Sequence, residues 1–341
     1  MSAAEAGGVR VDAVGFARYG GPGVLHRLQV VVPAPGPGQV RIRVAATSVN
    51  PADTYLRSGR FRFVLPVRRP FVPGLDVAGV VDAVGAGVTR VRPGDAVFAA
   101  LPSRAGGGYA GMVVVDAGLV AAAPSTVTLS DAAALPLVAL TAVQGLRDRA
   151  GLRAGASVLV WGASGGVGAT AVQVAAVLGG RVTAVTRAGA VQRVRGLGVE
   201  AVGREGASAP LGGRRFDVVF DASGTLSLRA LRRLAGPGGT AVTVNPGVGN
   251  PLAGVLTRTL PGASVRGFVA RPDGADLDRV RQWVETGALR PWVHARLALD
   301  DAERAHRTVE SREATGKVVL VVDDELSGAR PGSAARSEGA G

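Results

Sequence analysis

The alternation of apolar and polar positions gives the chain two textures. Residues 10–120 read as β-rich. Val40-Arg41-Ile42-Arg43-Val44 alternates with the period of a half-buried strand. Val77 to Val84 is a Val/Ala run ending in Gly85-Ala86-Gly87, a strand followed by a turn. Val91-Arg92-Pro93-Gly94-Asp95-Ala96-Val97 is a turn leading into a strand, and Ala110 to Val115 is another short strand. Frequent turn signals without a long helical period predict a compact, barrel-like β domain.

Near residue 130 the texture changes. Ser130 is a candidate N-cap for an Ala/Leu-rich stretch, 132–148, predicted as one or two helices. Strands then alternate with helices. Predicted strands are Val158–Trp161, Val182–Val185, Asp217–Phe220, Thr240–Val244 and Ser264–Val269; predicted helices are 166–178, 190–197, 226–235 and 276–286. Such alternation spells an α/β fold, a parallel sheet with helices on both faces. After Arg290-Pro291 the chain returns to strands, Val293–Leu299 and Val318–Val322, with a helix from Asp300 to Ser311 between them. Residues 325–341 carry no periodicity and read as a disordered tail.

Composition narrows the chemistry. The 341 residues include no cysteine, so disulfides, a thiolate nucleophile and Cys-ligated zinc or iron–sulfur sites are excluded. An intracellular, cytoplasmic chain is favoured, and residues 1–9 lack the pattern of a signal peptide. The net charge is +13, but all but one of the 39 basic residues are arginines scattered along the chain, the exception being Lys317. That reads as coding bias and an affinity for anionic ligands, with no nucleic acid expected as the main partner. Residues 154–180 hold no charge, yet four glycines between 162 and 168 break them into strand, loop and helix, so no membrane span is expected.

That loop is the clearest functional signal. Val158-Leu159-Val160-Trp161 runs into Gly162-Ala163-Ser164-Gly165-Gly166-Val167-Gly168 and then into a helix, the order a dinucleotide fold needs. Gly165 lets backbone approach a pyrophosphate, Gly168 lets helix pack on strand, and the helix N-terminus offers amides to phosphates. Ala163 replaces the first glycine of the usual pattern. The second strand ends at Thr186-Arg187, and no acid follows until Glu200. A carboxylate there would hold ribose hydroxyls, whereas an arginine can pair with a 2′-phosphate, so NADPH is predicted over NADH.

Four stretches together resemble a known family over residues 10–323: Ser48-Val49-Asn50-Pro51-Ala52-Asp53-Thr54-Tyr55-Leu56-Arg57-Ser58-Gly59, Pro73-Gly74-Leu75-Asp76-Val77-Ala78-Gly79-Val80-Val81, Gly162 to Gly168, and Ala305-His306 through Thr315-Gly316-Lys317-Val318-Val319-Leu320. They resemble the medium-chain dehydrogenase/reductase superfamily, specifically its zinc-free, zeta-crystallin-like quinone oxidoreductase branch. Zinc-dependent members carry Gly-His-Glu where this chain has Gly74-Leu75-Asp76, so with no cysteine present neither catalytic nor structural zinc is expected. The resemblance implies a GroES-like catalytic domain over 10–131 and 291–325, a central Rossmann domain over 132–290, and flexible tails at 1–9 and 326–341. It also implies a cleft between the domains and a homodimer. Many NADPH-using relatives carry a lysine at the position of Ala190, so the 2′-phosphate rests on Arg187. The stretch 60–72 is longer and more basic than the family leads one to expect.

Without a metal, reducing a simple ketone would leave localised charge on oxygen, whereas a conjugated acceptor spreads it. The expected reaction is therefore hydride transfer from NADPH to a quinone, an enone or an enoyl thioester. By resemblance Tyr55 is the candidate proton or hydrogen-bond donor, and Asn50 orients substrate or nicotinamide. Asp53 is expected to hold local structure. Thr141, Ser223, Asn245, Phe268 and Lys317 would contact the cofactor. His26, His294 and His306 are not spaced as a metal set. An enoyl reductase of a biosynthetic pathway and a non-enzymatic NADPH- or RNA-binding protein remain as alternatives.

Overall fold

The computed structural model describes residues 8–63, 65–206, 211–244 and 262–328. Predicted Asn245 lies outside the described residues, as do Val64 of the basic stretch and 329–341 of the predicted tail. The strands in chain order are β1 (Val9–Gly15), β2 (His26–Val32), β3 (Gln39–Val49), β4 (Asp76–Val84), β5 (Ala96–Ala100), β6 (Met112–Asp116) and β7 (Val120–Ala122). Then come β8 (Ser157–Trp161), β9 (Arg181–Thr186), β10 (Glu200–Gly203), β11 (Val218–Asp221), β12 (Thr240–Thr243), β13 (Ser264–Gly267), β14 (Val293–Ala298) and β15 (Lys317–Val321). The chain divides into two compact units: residues 1–137, 272–287 and 293–341 form one, and 138–271 with 288–292 form the other.

The first unit is built on β3. Its first half alternates, with Val40, Ile42 and Val44 buried and Arg41 and Arg43 turned outward, and from Val44 onward it is wholly buried. Sheet order is β14-β15-β3-β4-β5-β7, with β6 pairing the first half of β3. β15 runs antiparallel to β3 with Val318 opposite Val49. β4 runs antiparallel on the other side, with Thr47 opposite Val77. Val40, Ile42, Val77, Val81, Val97 and Val115 from these strands form one buried, Val-rich core. β1 and β2 form a separate antiparallel hairpin.

One helix in this unit escapes a β-rich reading. Pro51–Ser58 starts with proline at its first position and a capping box, Asn50 with Asp53, and ends at Gly59 with φ +76°. The helix Gly274–Glu285 also groups with this unit; Gly274 is required there because a Cβ would stand 2.5 Å from Gly118 O. The chain stays helical over Asp324–Ser327, just into the predicted tail.

The stretch 132–148 resolves into pieces. Helix Leu129–Ala132 is capped by Thr128, whose side chain accepts from Asp131 N, so the predicted cap moves from Ser130 to Thr128. Pro136 has no N–H to continue that helix, and a new one starts there, Pro136–Val143, followed by a π-helical turn, Gln144–Arg149.

In the second unit the strands among the described residues are all parallel, in the order β10-β9-β8-β11-β12-β13. Numbered from β8, this is the doubly wound order 3-2-1-4-5-6. The C-terminal ends line up: Trp161 is opposite Val185 and Asp221, and Asp221 is opposite Thr243. The order reverses between β8 and β11, where such sheets bind ligands. Among the described residues no helix is long and apolar enough to cross a membrane.

Candidate functional site

The loop after β8 sits at that switch point. Gly162 has φ +84°, and a Cβ on it would stand 3.0 Å from Ser223 Cβ. A Cβ on Gly168 would stand 2.1 Å from Gly162 O, so helix Gly166–Val177 can lie against β8 only with glycine there. Gly165 differs. Its φ is −74°, and a Cβ would meet nothing nearer than Gly162 O at 3.6 Å. Folding does not demand that glycine, and the room it leaves is open. Gly165 caps the helix without a side chain, so the first-turn amides of Gly166, Val167 and Gly168 need an acceptor from elsewhere. Open room beside uncapped amides, with no carboxylate in the loop, fits a dinucleotide pyrophosphate. Ala163 is fully buried and its amide donates to Val185 O. Ser164 O accepts from Trp292 Nε1 at 3.3 Å, and Arg193 lies over the Trp292 ring at 4.2 Å.

The loop after β11 is built on Asp221, wholly buried. Its Oδ1 accepts from Ser223 N, Ser223 Oγ and Gly224 N, and its Oδ2 from Leu226 N and Thr243 Oγ1, all at 2.8–3.2 Å. Ser223 is thereby held, exposed, beside Gly162. Sequence reasoning named Ser223 and missed Asp221; an acid closing a buried strand before Ser-Gly-Thr was the available signal. Phe268 is buried against Gly145, where a Cβ would stand 2.9 Å from its ring. Thr141 is half-buried on helix Pro136–Val143.

β9 ends at Thr186, whose buried hydroxyl has no partner among the described residues. Arg187, half-buried, follows at the N-cap of the turn Ala188–Ala190. An acid that sequence reasoning did not name, five residues beyond Glu200, comes back here: Glu205 Oε2 accepts from Ala188 N at 3.2 Å.

In the first unit the structure brings Asn50 and Lys317 together. Lys317, 4% exposed, donates to Val49 O at 3.1 Å, Asn50 Oδ1 at 2.6 Å and Asp76 Oδ2 at 3.0 Å. Three acceptors use up the ammonium's three hydrogens. Asp76 Oδ2 also accepts from Ser48 Oγ at 2.6 Å and Asn50 Nδ2 at 2.8 Å, while Oδ1 accepts from Leu137 N at 2.7 Å. Beside it Leu75 is buried. Asp53 is fully buried and accepts from Asn50 N and Gly74 N, each at 2.9 Å. Burial nonetheless pushes its carboxyl up to about 7. Tyr55 is separate from this network: its ring meets Phe61 edge-on at 5.4 Å and lies under the Arg60 guanidinium. Among the described residues no three His, Cys, Asp or Glu side chains stand together as a metal set.

The chain matches the family described as alcohol dehydrogenase GroES-like domain over residues 36–125 and that described as zinc-binding dehydrogenase over residues 170–320. It is 31% identical over 325 residues to a chloroplast envelope quinone oxidoreductase homolog of Arabidopsis thaliana, covering 92% of this chain and 99% of that one. It is 32% identical to a 2-methylene-furan-3-one reductase of Solanum lycopersicum, covering 91% of this chain and 79% of that one. A solved NAD-dependent alcohol dehydrogenase superposes with a TM-score of 0.80 at 31% identity, covering 91% of this chain and 99% of that one. With β8, its glycine loop and the GroES-like sheet in place, the chain belongs to the medium-chain dehydrogenase/reductase superfamily and is an oxidoreductase.

Proposed function

We propose that this enzyme transfers a hydride from NADPH to a conjugated acceptor, a quinone first, without zinc. The observation that carries zinc independence is Asp76. Its carboxylate is taken up by Lys317, Ser48, Asn50 and the Leu137 amide, with Leu75 beside it, so this carboxylate is engaged within the protein and not presented to a metal. NADPH, when bound, supplies the hydride. The room at Gly165 and the helix amides receive its pyrophosphate, Ser223 borders its adenosine, and Arg187 pairs with the 2′-phosphate. Thr141 and Phe268 contact the cofactor. Tyr55 donates a hydrogen bond or proton to the acceptor's oxygen. Asn50, buried with Oδ1 taken by Lys317 and Nδ2 by Asp76, acts on the acceptor or nicotinamide through this network instead of by direct contact.

The reading is tested by NADPH oxidation with 1,4-benzoquinone and 9,10-phenanthrenequinone, before and after chelator treatment. Chelation leaves the rate unchanged. Arg187→Asp raises the NADPH Michaelis constant at least tenfold, and Tyr55→Phe lowers turnover. An unchanged NADPH-to-NADH ratio in Arg187→Asp overturns the phosphate role. The second reading, enone or enoyl-thioester reduction, is favoured by the likeness to the tomato furanone reductase. It takes over if enones turn over and quinones do not.

A further inference from the structure

We infer that Glu205 is a specificity-determining residue, competing with its own carboxylate for the amide that a 2′-phosphate would take. This rests on the NADPH reading above. Parallel pairing puts Gly203 at the end of β10 opposite Thr186 at the end of β9. The chain then turns through Arg204–Gly206, and that turn delivers Glu205 to the residue after Arg187. A Cβ on Gly203 would stand 3.6 Å from Ala188 Cα and 3.7 Å from Glu205 Oε2, which measures how close the two segments run.

An amide that already holds a carboxylate has the geometry to hold a phosphate oxygen. Its neighbours suit a phosphate too. Arg187 supplies a guanidinium, and the Thr186 hydroxyl is buried without a partner among the described residues. Glu205 is free to leave. Its side chain is 57% exposed, and among the described residues its other contact is a loose pairing with Arg204 at 3.8 Å. NADH, with hydroxyls at this position, can donate to the carboxylate and leave it in place. NADPH brings a second anion and must displace it. Arg187 and Glu205 thus pull the preference in opposite directions. The 36 residues between Gly168 and Glu205 hid the acid from a reading by chain spacing.

The test is binding without an acceptor substrate, by fluorescence titration of NADPH and NADH and by competition with 2′,5′-ADP and ADP. Glu205→Gln keeps an oxygen for Ala188 N and removes the charge; Glu205→Ala removes both. Both variants are expected to bind NADPH and 2′,5′-ADP at least threefold more tightly, with NADH and ADP unchanged or weaker. Equal changes for the phosphorylated and unphosphorylated ligands, or no change in either, overturn the role of Glu205 alone. Wild-type protein that binds NADH but not NADPH or 2′,5′-ADP, with both variants the same, overturns this inference and the NADPH reading together.

Discussion

Lys317 Nζ stands 3.0 Å from Asp76 Oδ2, and both side chains are almost wholly out of solvent. Chain order separates them by 241 residues. The antiparallel register of β15, β3 and β4 closes that distance. A buried pair whose every hydrogen finds an acceptor is costly to break from one side, because the remaining charge stays desolvated. Lys317→Met is therefore expected to lower the unfolding free energy by about 3–5 kcal/mol. The double variant Asp76→Asn with Lys317→Met is expected to recover a measurable part of it. Urea unfolding of the four proteins in a cycle checks this; additive losses would show that the two do not act as a pair.

The two glycines of the loop separate folding from binding. Gly168→Ala drives a methyl to 2.1 Å from a backbone oxygen that cannot swing aside, so helix Gly166–Val177 must leave β8. Loss of soluble protein or a fall in stability of several kcal/mol is expected. Gly165→Ala meets no such obstacle and is expected to melt within a few degrees of wild type. It should nonetheless bind NADPH at least tenfold more weakly, because the methyl fills the room a pyrophosphate needs. Calorimetry and cofactor titration on the same preparations decide it: unchanged affinity in Gly165→Ala removes the loop's phosphate role.

The parallel sheet and its loop were legible in the sequence because each strand is a short apolar run and each turn carries glycine. The helix Pro51–Ser58 was missed although its signals, Pro51 after Asn50 with Asp53 three residues on, lay in plain view inside a region of strand-like texture. The site was legible one residue at a time. Asn50 and Lys317 were each named, but not their hydrogen bond, which depends on strand register rather than on local pattern. Glu205 and Trp292 were illegible for the same reason. Both reach the predicted cofactor segment from parts of the chain brought back by parallel pairing or by a crossing segment.

Asp221 shows how a loop can hang on one carboxylate. Its two oxygens accept five hydrogen bonds, three on Oδ1 and two on Oδ2. Asparagine can replace only one oxygen's worth of acceptance and turns a donor toward the rest. Asp221→Asn is expected to cost about 2–4 kcal/mol, and proteolysis or amide exchange should accelerate over residues 222–226 before elsewhere. Exchange that accelerates uniformly would place Asp221 in the core's stability rather than the loop's.

Two buried groups in the first unit set opposing pH dependences. Asp53 is raised to about 7 by burial, from an ordinary value near 3.8. Its folded form holds the proton more tightly than the unfolded chain, so its contribution is full below about pH 4 and is lost as pH rises through 7. His306 hydrogen-bonds Tyr109 OH at 3.0 Å, and burial, then the Arg57 charge, lowers it to about 3 from 6.5. Arg57 in turn pairs with Glu310. The folded form of His306 sheds its proton more readily, so its contribution is full above about pH 6.5 and is lost as pH falls toward 3. Between pH 4 and 6.5 the two slopes run against each other, and wild-type stability is expected to be nearly flat there. His306→Gln should leave Asp53 acting alone, with stability falling as pH rises across that window. Asp53→Asn should leave His306 alone, with stability rising. Urea midpoints at half-unit pH steps on the three proteins read both slopes. Parallel profiles would mean that neither group titrates differently in the folded and unfolded chain.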